Sequence, residues 1–167
     1  MVGSLRMRLA LFQPDIPQNL GAAIRLCACL GTALDVIEPC AFPIDDRTLK
    51  RAALDYQPLA AVTRHDGWRA FESHPARAEG RLVLFTTRGA RPHLDFAFRP
   101  GDTLIFGRES AGVTAEVHDR AEARLFIPMV PGARSLNVVN AAAMALGEAL
   151  RQTGGFSSAR GRGIGAP

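Results

Sequence analysis

The sequence predicts a single α/β domain in which a mainly parallel sheet carries helices on both faces. Short apolar runs alternate with amphipathic segments, as in folds where each strand is followed by a helix. The length of 167 residues suits one domain, and no repeat or linker divides the chain. We expect an N-terminal extension at residues 1–6, the domain at 7–153, and a flexible tail rich in Gly, Ser and Arg at 154–167.

The first third of the chain alternates strand and helix. Residues 9–12 are a short apolar run, which predicts a buried strand. Residues 17–30 place apolar side chains at helical spacing, and Gly31 after them is a common helix end. Residues 34–37 predict a second strand. A helix is expected at 45–54, because two aspartates at its start can cap it.

The same alternation continues to the end of the domain. Further apolar runs predict strands at residues 60–63, 82–86, 103–106 and 125–127. Amphipathic or alanine-rich segments between and after them predict helices at 67–72, 111–118 and 136–152. Strands that alternate with helices in this way favour parallel pairing. Each crossover helix returns the chain to the end of the sheet where the preceding strand began, so the next strand runs in the same direction.

Charge and composition narrow the function only slightly. Twenty basic residues against sixteen acidic ones give a net charge of +4, which permits nucleic-acid binding without establishing it. Lys50 is the only lysine. Arginine binds phosphate with two hydrogen bonds and stacks on bases, although a GC-rich genome would give the same bias. No apolar run approaches a membrane span and no signal peptide is recognisable, so we expect a cytoplasmic protein.

Several chemistries find no support in the sequence. The four histidines are scattered, without the spacing to Ser or Cys that would suggest a nucleophilic triad. Cys27 and Cys29 are two positions apart, so on a helix they point in different directions and make a poor metal pair. We expect no metal site.

Three loops follow predicted strands, at residues 86–89, 107–112 and 128–137. Ligands on parallel α/β sheets bind at the carboxyl ends of the strands. The second loop has the pattern Gly-x-Glu-x-x-Gly, which is neither the dinucleotide fingerprint nor a phosphate loop. Its glycines would let the backbone approach a planar ligand closely, or they only form a turn between strand and helix.

Polar side chains near two helix starts have two possible explanations. Ser135 and Asn137 precede the last predicted helix, while Asn19 lies near the start of the first and Arg25 lies within it. Each of them is a candidate functional residue. Alternatively, Ser135 caps its helix, the asparagines satisfy backbone donors, and Arg25 is a solvated surface residue.

In this order and spacing, the motifs resemble the SPOUT class of RNA methyltransferases, and within it the small family that 2′-O-methylates the wobble nucleotide of leucine tRNAs. The resemblance covers about residues 7–155. The matching segments are Pro-Asp-Ile-Pro-Gln-Asn at 14–19 with Arg-Leu-Cys-Ala at 25–28, Ile-Glu-Pro at 37–39, Leu-Asp-Tyr at 54–56, Val-Thr-Arg-His at 62–65, Thr-Thr-Arg-Gly at 86–89, Phe-Gly at 106–107 with Glu109 and Gly112, and Ile-Pro-Met at 127–129 with Arg134, Ser135, Asn137 and Asn140.

The resemblance implies a deep trefoil knot in the C-terminal half, formed by the second and third loops. It also implies that their backbone holds S-adenosyl-L-methionine in a bent pose, that the protein is a homodimer, and that the anticodon arm of a tRNA is its substrate. No metal and no membrane are implied. The residues that the resemblance assigns to the donor site are Phe85, Thr86, Gly107, Glu109, Gly112, Ile127, Met129, Ser135 and Leu136.

The resemblance gives Arg25 the central part in catalysis, with Asn19, Glu109 and Asn137 fixing Arg25 and the ribose. Arginine is a poor base because its guanidinium stays protonated in proteins. We favour Arg25 binding the RNA phosphate beside the target ribose, so that phosphate or water receives the proton. In the other interpretation, Ser135 holds a deprotonated Arg25. Related enzymes place this arginine across the dimer interface from the donor.

Three positions depart from the family pattern. Gly147 and Leu150 stand where close relatives carry aromatic residues in the final helix, and Arg108 stands where they usually have proline. These departures leave two other functions open. One is the same reaction at another tRNA or rRNA position, and the other is a non-catalytic RNA-binding protein with the same fold.

Overall fold

The computed structural model describes residues 6–45, 47, 51 and 61–156. Its strands are β1 (Arg8–Phe12), β2 (Ala33–Ile37), β3 (Val62–His65), β4 (Leu82–Phe85), β5 (Arg91–Pro92), β6 (Thr103–Phe106) and β7 (Ala123–Phe126). They form one sheet in the order β3-β2-β1-β6-β4-β7-β5. All pairings between these described strands are parallel, which confirms the predicted sheet.

Helices cover both faces of the sheet, as predicted. In the described part of the chain they are α1 (Pro17–Leu30), α2 (Trp68–Glu72), α3 (Pro75–Ala78), α4 (Ala115–Arg120) and α5 (Val138–Thr153). On one face α1 and α5 bury Leu20, Ile24 and Leu146 against the strands. On the other, α2 and α4 bury Phe71 and Val117. The central strands β4 and β6 are therefore buried on both sides, which explains their continuous apolar runs.

The first helix, α1, has the predicted bounds. Pro17 occupies its first turn. Backbone N–H groups there have no acceptor within the helix, so the N–H that proline lacks costs no hydrogen bond. Gly31 ends it with a φ of 65°, in the left-handed region that favours glycine. Because α1 follows β1 closely and β1 pairs with β6, the first turn of α1 lies at the carboxyl edge of the sheet.

Some boundaries differ from the prediction. The helix expected at 111–118 is α4, which starts later because the hydroxyl of Thr114 caps its first turn. The helix expected from 136 is α5, which starts later because Asn137 caps it. The strand expected at 60–63 is β3, two residues further along. The short elements α3 and β5 are not predicted, because neither is long enough to show a periodic pattern.

Parts of the predicted scheme lie outside the described residues, namely residues 1–5, most of the expected helix at 45–54 with the 54–56 motif, and the tail from 157 onward. The division into three segments therefore stays a prediction. The knot stays one too, because strand pairing alone does not trace how the chain threads. Over the described ranges, none of the helices combines the length and apolar character that crossing a bilayer requires.

A cluster of largely buried ionisable side chains joins the first three strands. Arg8 donates two hydrogen bonds of 2.8 Å to the carboxylate of Asp35, one from Nε and one from Nη2. The Nε2 atom of His65 lies 2.7 Å from the same carboxylate. Asp35 is only 1% exposed, so these side chains provide the hydrogen bonds that water would otherwise supply.

We expect Asp35→Ala to lower the free energy of unfolding by about 3–5 kcal/mol, because Arg8 and His65 would lose their shared buried acceptor. Urea denaturation followed by circular dichroism measures the change. The matched control is Arg120→Ala, which removes a 2.7 Å ion pair with Glu72 in which the arginine is 65% exposed. That variant should lose much less stability than Asp35→Ala, because water screens an exposed ion pair. Equal losses in the two variants would contradict a structural role for the buried cluster.

Candidate functional site

A cavity of about 530 Å³ lies where the loops after β4, β6 and β7 converge. Its described wall is formed by residues from 84 to 141, all in the second half of the chain. The structure brings together in this wall every residue that the resemblance assigns to the donor site, namely Phe85, Thr86, Gly107, Glu109, Gly112, Ile127, Met129, Ser135 and Leu136.

The 107–112 loop folds back on itself at its two glycines. Arg108 and Gly112 exchange backbone hydrogen bonds of 3.0 and 2.8 Å. A Cβ atom on Gly107 would lie 2.5 Å from the carbonyl carbon of Gly112, closer than a side-chain carbon can approach. Gly112 has a φ of 65°, which favours glycine. The pattern is therefore a tight turn, and the same turn is part of the cavity wall.

The cavity wall combines aromatic and aliphatic side chains with a few polar groups. Phe85 and Phe106 stack with their ring centroids 4.9 Å apart. Thr86, Glu109 and Ser135 add hydroxyl and carboxyl groups to the lining. Small-molecule sites typically have volumes of roughly 300–1,000 Å³ and this kind of mixed lining. The residues present thus fit a ligand that has both a flat apolar part and a polar part.

The side chain of Asn19 connects α1 to two other parts of the site. Its Oδ1 atom accepts a hydrogen bond of 3.0 Å from Nδ2 of Asn137, and its Nδ2 atom donates to Oε1 of Glu109. Asn19 is only 7% exposed, and it does not cap α1, whose N-cap is Ile16. Three of the predicted catalytic residues therefore form one hydrogen-bonded chain.

Asn137 also caps α5. Its Oδ1 atom accepts the backbone N–H groups of Val139, at 2.9 Å, and of Asn140, at 3.3 Å. The alternative in which Ser135 caps this helix is therefore wrong. Ser135 lies two residues before the cap, exposed and in the wall of the cavity.

Arg25 lies apart from this cavity. It is on the exposed side of α1, and among the described residues of the cavity wall none belongs to α1. Asn19, six positions earlier, is buried, because the two side chains leave the helix on different sides. Within one chain, the structure does not bring Arg25 and Ser135 together at the cavity.

Asp15 is a site residue that the sequence patterns do not single out, although it lies in the 14–19 motif. Its carboxylate accepts the backbone N–H groups of Glu109, at 3.2 Å, and Ser110, at 3.3 Å, and also the Ser110 hydroxyl. A side-chain hydrogen bond from Glu109, followed by those from Ser110, holds the pKa of Asp15 well below its usual range. Burial, followed by the hydrogen bond with Asp15, raises the pKa of Glu109.

The cavity wall also carries positive charge. Arg108 and Arg134 both line it. The Nε atom of Arg108 is buried and has no hydrogen-bond acceptor among the described residues. Across the same described ranges, no three His, Cys, Asp or Glu side chains lie close enough together to hold a metal ion. The charged part of the wall is thus suited to an anionic group.

Comparison with known proteins places this geometry in a family. Residues 6–147 match the model of the SpoU rRNA Methylase family. A tRNA (cytidine(34)-2′-O)-methyltransferase of Ancylobacter novellus is 54% identical over 154 residues, which cover 92% of this chain and 97% of that protein. An enzyme of the same name from Escherichia coli K12 is 44% identical over 150 residues, which cover 89% and 94% of the two chains.

Solved structures share the fold. One described as "Structural insights into the 2-OH methylation of C/U34 on tRNA" has a TM-score of 0.81 and 42% identity, and covers 90% of this chain and 97% of its own. The SpoU methyltransferase AviRb of Streptomyces viridochromogenes, in complex with the cofactor AdoMet, has a TM-score of 0.79 and 27% identity over 90% of this chain and 62% of its own. These matches confirm the resemblance, and the chain belongs to the SpoU rRNA methylase family.

Proposed function

We propose that this protein transfers a methyl group from S-adenosyl-L-methionine to the ribose 2′-oxygen of nucleotide 34, the wobble position, in leucine tRNAs. The observation that carries the proposal is the convergence of the three loops on one cavity, where Glu109 in the wall is hydrogen-bonded to Asn19 and Asn19 in turn to Asn137. The proposal also draws on sequence identity, which is 53% and 54% to two relatives named for this reaction on cytidine 34. Because tRNA is the substrate, we place the protein in the cytoplasm.

The cavity has the features that this methyl donor requires. Phe85, Ile127 and Leu136 offer apolar surfaces for the adenine, while the backbone at Gly107 and Gly112 can come close to it. The polar members of the predicted set, Thr86, Glu109 and Ser135 with the flexible Met129, would hold the remaining parts. When bound, S-adenosyl-L-methionine supplies a methyl group already activated by a positively charged sulfur.

The residues of this chain then have to align the ribose and remove one proton. The ribose 2′-oxygen attacks the methyl carbon, the C–O bond forms, and the electron pair of the broken C–S bond stays on sulfur. The hydroxyl proton passes to an RNA phosphate oxygen or to water. Arg25 would hold that phosphate, because a guanidinium forks around two phosphate oxygens. Alignment of the reacting atoms alone is worth roughly 7–11 kcal/mol in favourable cases.

A homodimer would bring Arg25 to a cavity. Arg25 is on the exposed side of α1 with Ala22 and Cys29, and Met144 on the neighbouring α5 is 48% exposed. These small and apolar exposed residues are suited to contact with a second copy of the chain. In that arrangement, Arg25 of one subunit serves the cavity of its partner, and each active site needs both subunits.

The main alternative is the same reaction at another RNA position. Gly147 and Leu150 raise it, because the family resemblance leads us to expect aromatic residues at these two positions. Leu150 is only 4% exposed, so this position packs in the core and does not contact RNA from the surface. Gly147 is partly exposed and keeps the alternative open.

We expect the purified protein to methylate leucine tRNA at ribose 34 when it is given isotopically labelled S-adenosyl-L-methionine. Nuclease mapping of the labelled nucleotide checks the position. A matched tRNA with 2′-deoxyribose at position 34 should accept no methyl group, because it lacks the attacking oxygen. Label at a different nucleotide would establish the alternative, and no label from protein that binds the donor would contradict the proposed activity.

We expect Gly107→Ala to weaken binding of S-adenosyl-L-homocysteine, the product form of the donor, by at least about tenfold. The new methyl group would clash with the backbone of Gly112 and open the loop. Isothermal titration calorimetry measures the affinity. Gly67→Ala is the control, because no atom lies within 4 Å of the added carbon. Unchanged affinity in the folded Gly107→Ala protein would show that the donor binds elsewhere.

The shared active site can be tested by mixing the variants Arg25→Ala and Gly107→Ala, under conditions that allow subunit exchange and at a donor concentration too low to fill the Gly107→Ala cavity, so that each variant alone is inactive. Each mixed dimer would contain one intact site, made by the cavity of one subunit and Arg25 of the other. We expect about a quarter of wild-type activity from random mixing, since half of the dimers then have one intact site of two. If Arg25 serves its own subunit, the mixture will stay inactive.

A further inference from the structure

The side chain of Arg108 contains a buried polar atom that has no role in the reaction described above. Its Nε atom is shielded from solvent and has no hydrogen-bond acceptor among the described residues. Arg108 is also part of the wall of the 530 Å³ cavity. A buried N–H group without an acceptor costs free energy, and a guanidinium stays charged in proteins. An anionic group in the cavity would therefore stabilise the side chain in this position.

Two carboxyl groups at the same turn have other partners. Asp15 accepts the backbone N–H groups of Glu109, at 3.2 Å, and of Ser110, at 3.3 Å. The Oε1 atom of Glu109 accepts a hydrogen bond from the side chain of Asn19. Neither carboxyl group accepts a hydrogen bond from Nε of Arg108. A ligand can supply the acceptor that these two side chains do not.

The position of Arg108 favours a small ligand over an RNA phosphate. Ser110 and Ala111, at the tip of the turn, are exposed and are not among the described residues of the cavity wall, whereas Arg108 is only partly exposed and lines the cavity. Arg134 also lines it, but Arg134 is exposed, so water already solvates its guanidinium. A cavity of about 530 Å³ has the size of a small-molecule site, which a nucleic-acid backbone does not enter.

The methyl donor has one anionic group. The adenosine part of S-adenosyl-L-methionine is uncharged, the sulfonium and the ammonium are cations, and only the carboxylate of the methionine part is negative. A carboxylate fits a guanidinium in shape as well as in charge, because the two planar groups form two parallel N–H···O bonds. In that arrangement Nε of Arg108 donates one bond and a terminal nitrogen of the same guanidinium donates the other.

We propose that Arg108 is a donor-specificity residue, which binds the carboxylate of the methionine part of S-adenosyl-L-methionine. This inference rests on the proposed methyl-donor site and assigns one contact within it. It concerns this chain in particular, since the family resemblance leads us to expect proline at position 108, and proline has no side-chain hydrogen-bond donor. The donor carboxylate would thus have a charged partner here that the family pattern does not supply at this position.

A ligand pair that differs only at the carboxylate tests the contact. We expect the wild-type protein to bind S-adenosyl-L-homocysteine about 10- to 100-fold more tightly than its carboxamide, in which a neutral amide replaces the carboxylate. Arg108→Ala should weaken S-adenosyl-L-homocysteine by a similar factor and change the affinity for the carboxamide by less than about threefold. Isothermal titration calorimetry measures all four affinities. Equal weakening of both ligands would indicate a changed loop shape and overturn the inference.

The variant and its control are chosen to leave the turn intact. Alanine at position 108 keeps the backbone N–H that donates to the carbonyl of Gly112 at 3.0 Å, whereas proline would remove it. Arg88→Ala is the control. Arg88 is exposed in the loop after β4 and is not among the described residues of the cavity wall, so its removal takes away the same charge without the proposed contact. Arg88→Ala should keep the wild-type preference for the carboxylate, and loss of that preference would overturn the inference.

Binding of tRNA without donor separates the two possible anions. We expect wild-type protein and Arg108→Ala to bind leucine tRNA equally in a filter-binding assay. Weaker tRNA binding with an unchanged preference for the carboxylate would assign Arg108 to an RNA phosphate and overturn the inference. If wild-type protein methylates tRNA but binds S-adenosyl-L-homocysteine and its carboxamide equally, only this inference fails. If wild-type protein binds neither ligand, the donor site fails, and the proposed function fails with it.

Discussion

The hydrogen bond from Asn19 to Glu109 connects two parts of the chain that are 90 positions apart, and the rest of the site depends on it. Because Asn19 is in the first turn of α1 and is nearly buried, its amide has little access to water and must be paired within the protein. Glu109 and Asn137 provide those partners. The position of α1 is thereby linked both to the 107–112 loop and to the start of α5.

The sheet makes this connection possible. Parallel pairing of β1 with β6 and of β6 with β4 brings the ends of these strands to one edge, so the segment after β1 meets the loop after β6. The strands themselves are buried on both faces and contain little besides aliphatic and aromatic side chains. Polar groups that act on a ligand are therefore concentrated in the loops at this edge.

Sequence reasoning predicts the sheet and the cavity wall well, for different reasons. The strands and α1 follow from apolar periodicity and from Pro17 and Gly31, which are local signals. The three loops of the wall follow from the rule that ligands bind at the carboxyl ends of parallel strands, whereas the individual wall residues follow from motif resemblance. The capping of α5 by Asn137 rather than Ser135 is not predictable, because both residue types make good caps and tertiary contacts select between them. Asp15 is missed because its importance comes from contacts with residues far along the chain.

The buried member of the hydrogen-bonded chain, Asn19, is a neutral side chain, and this follows from its burial. An isolated charge in the position of Asn19 would pay a large desolvation penalty, whereas an amide can donate and accept at once. Arg25 is different, since it lies on the exposed side of α1. The hydrogen bonds of Asn19 thus link the first turn of α1 to the 107–112 loop and to the start of α5, while Arg25 lies on a different, exposed side of the same helix.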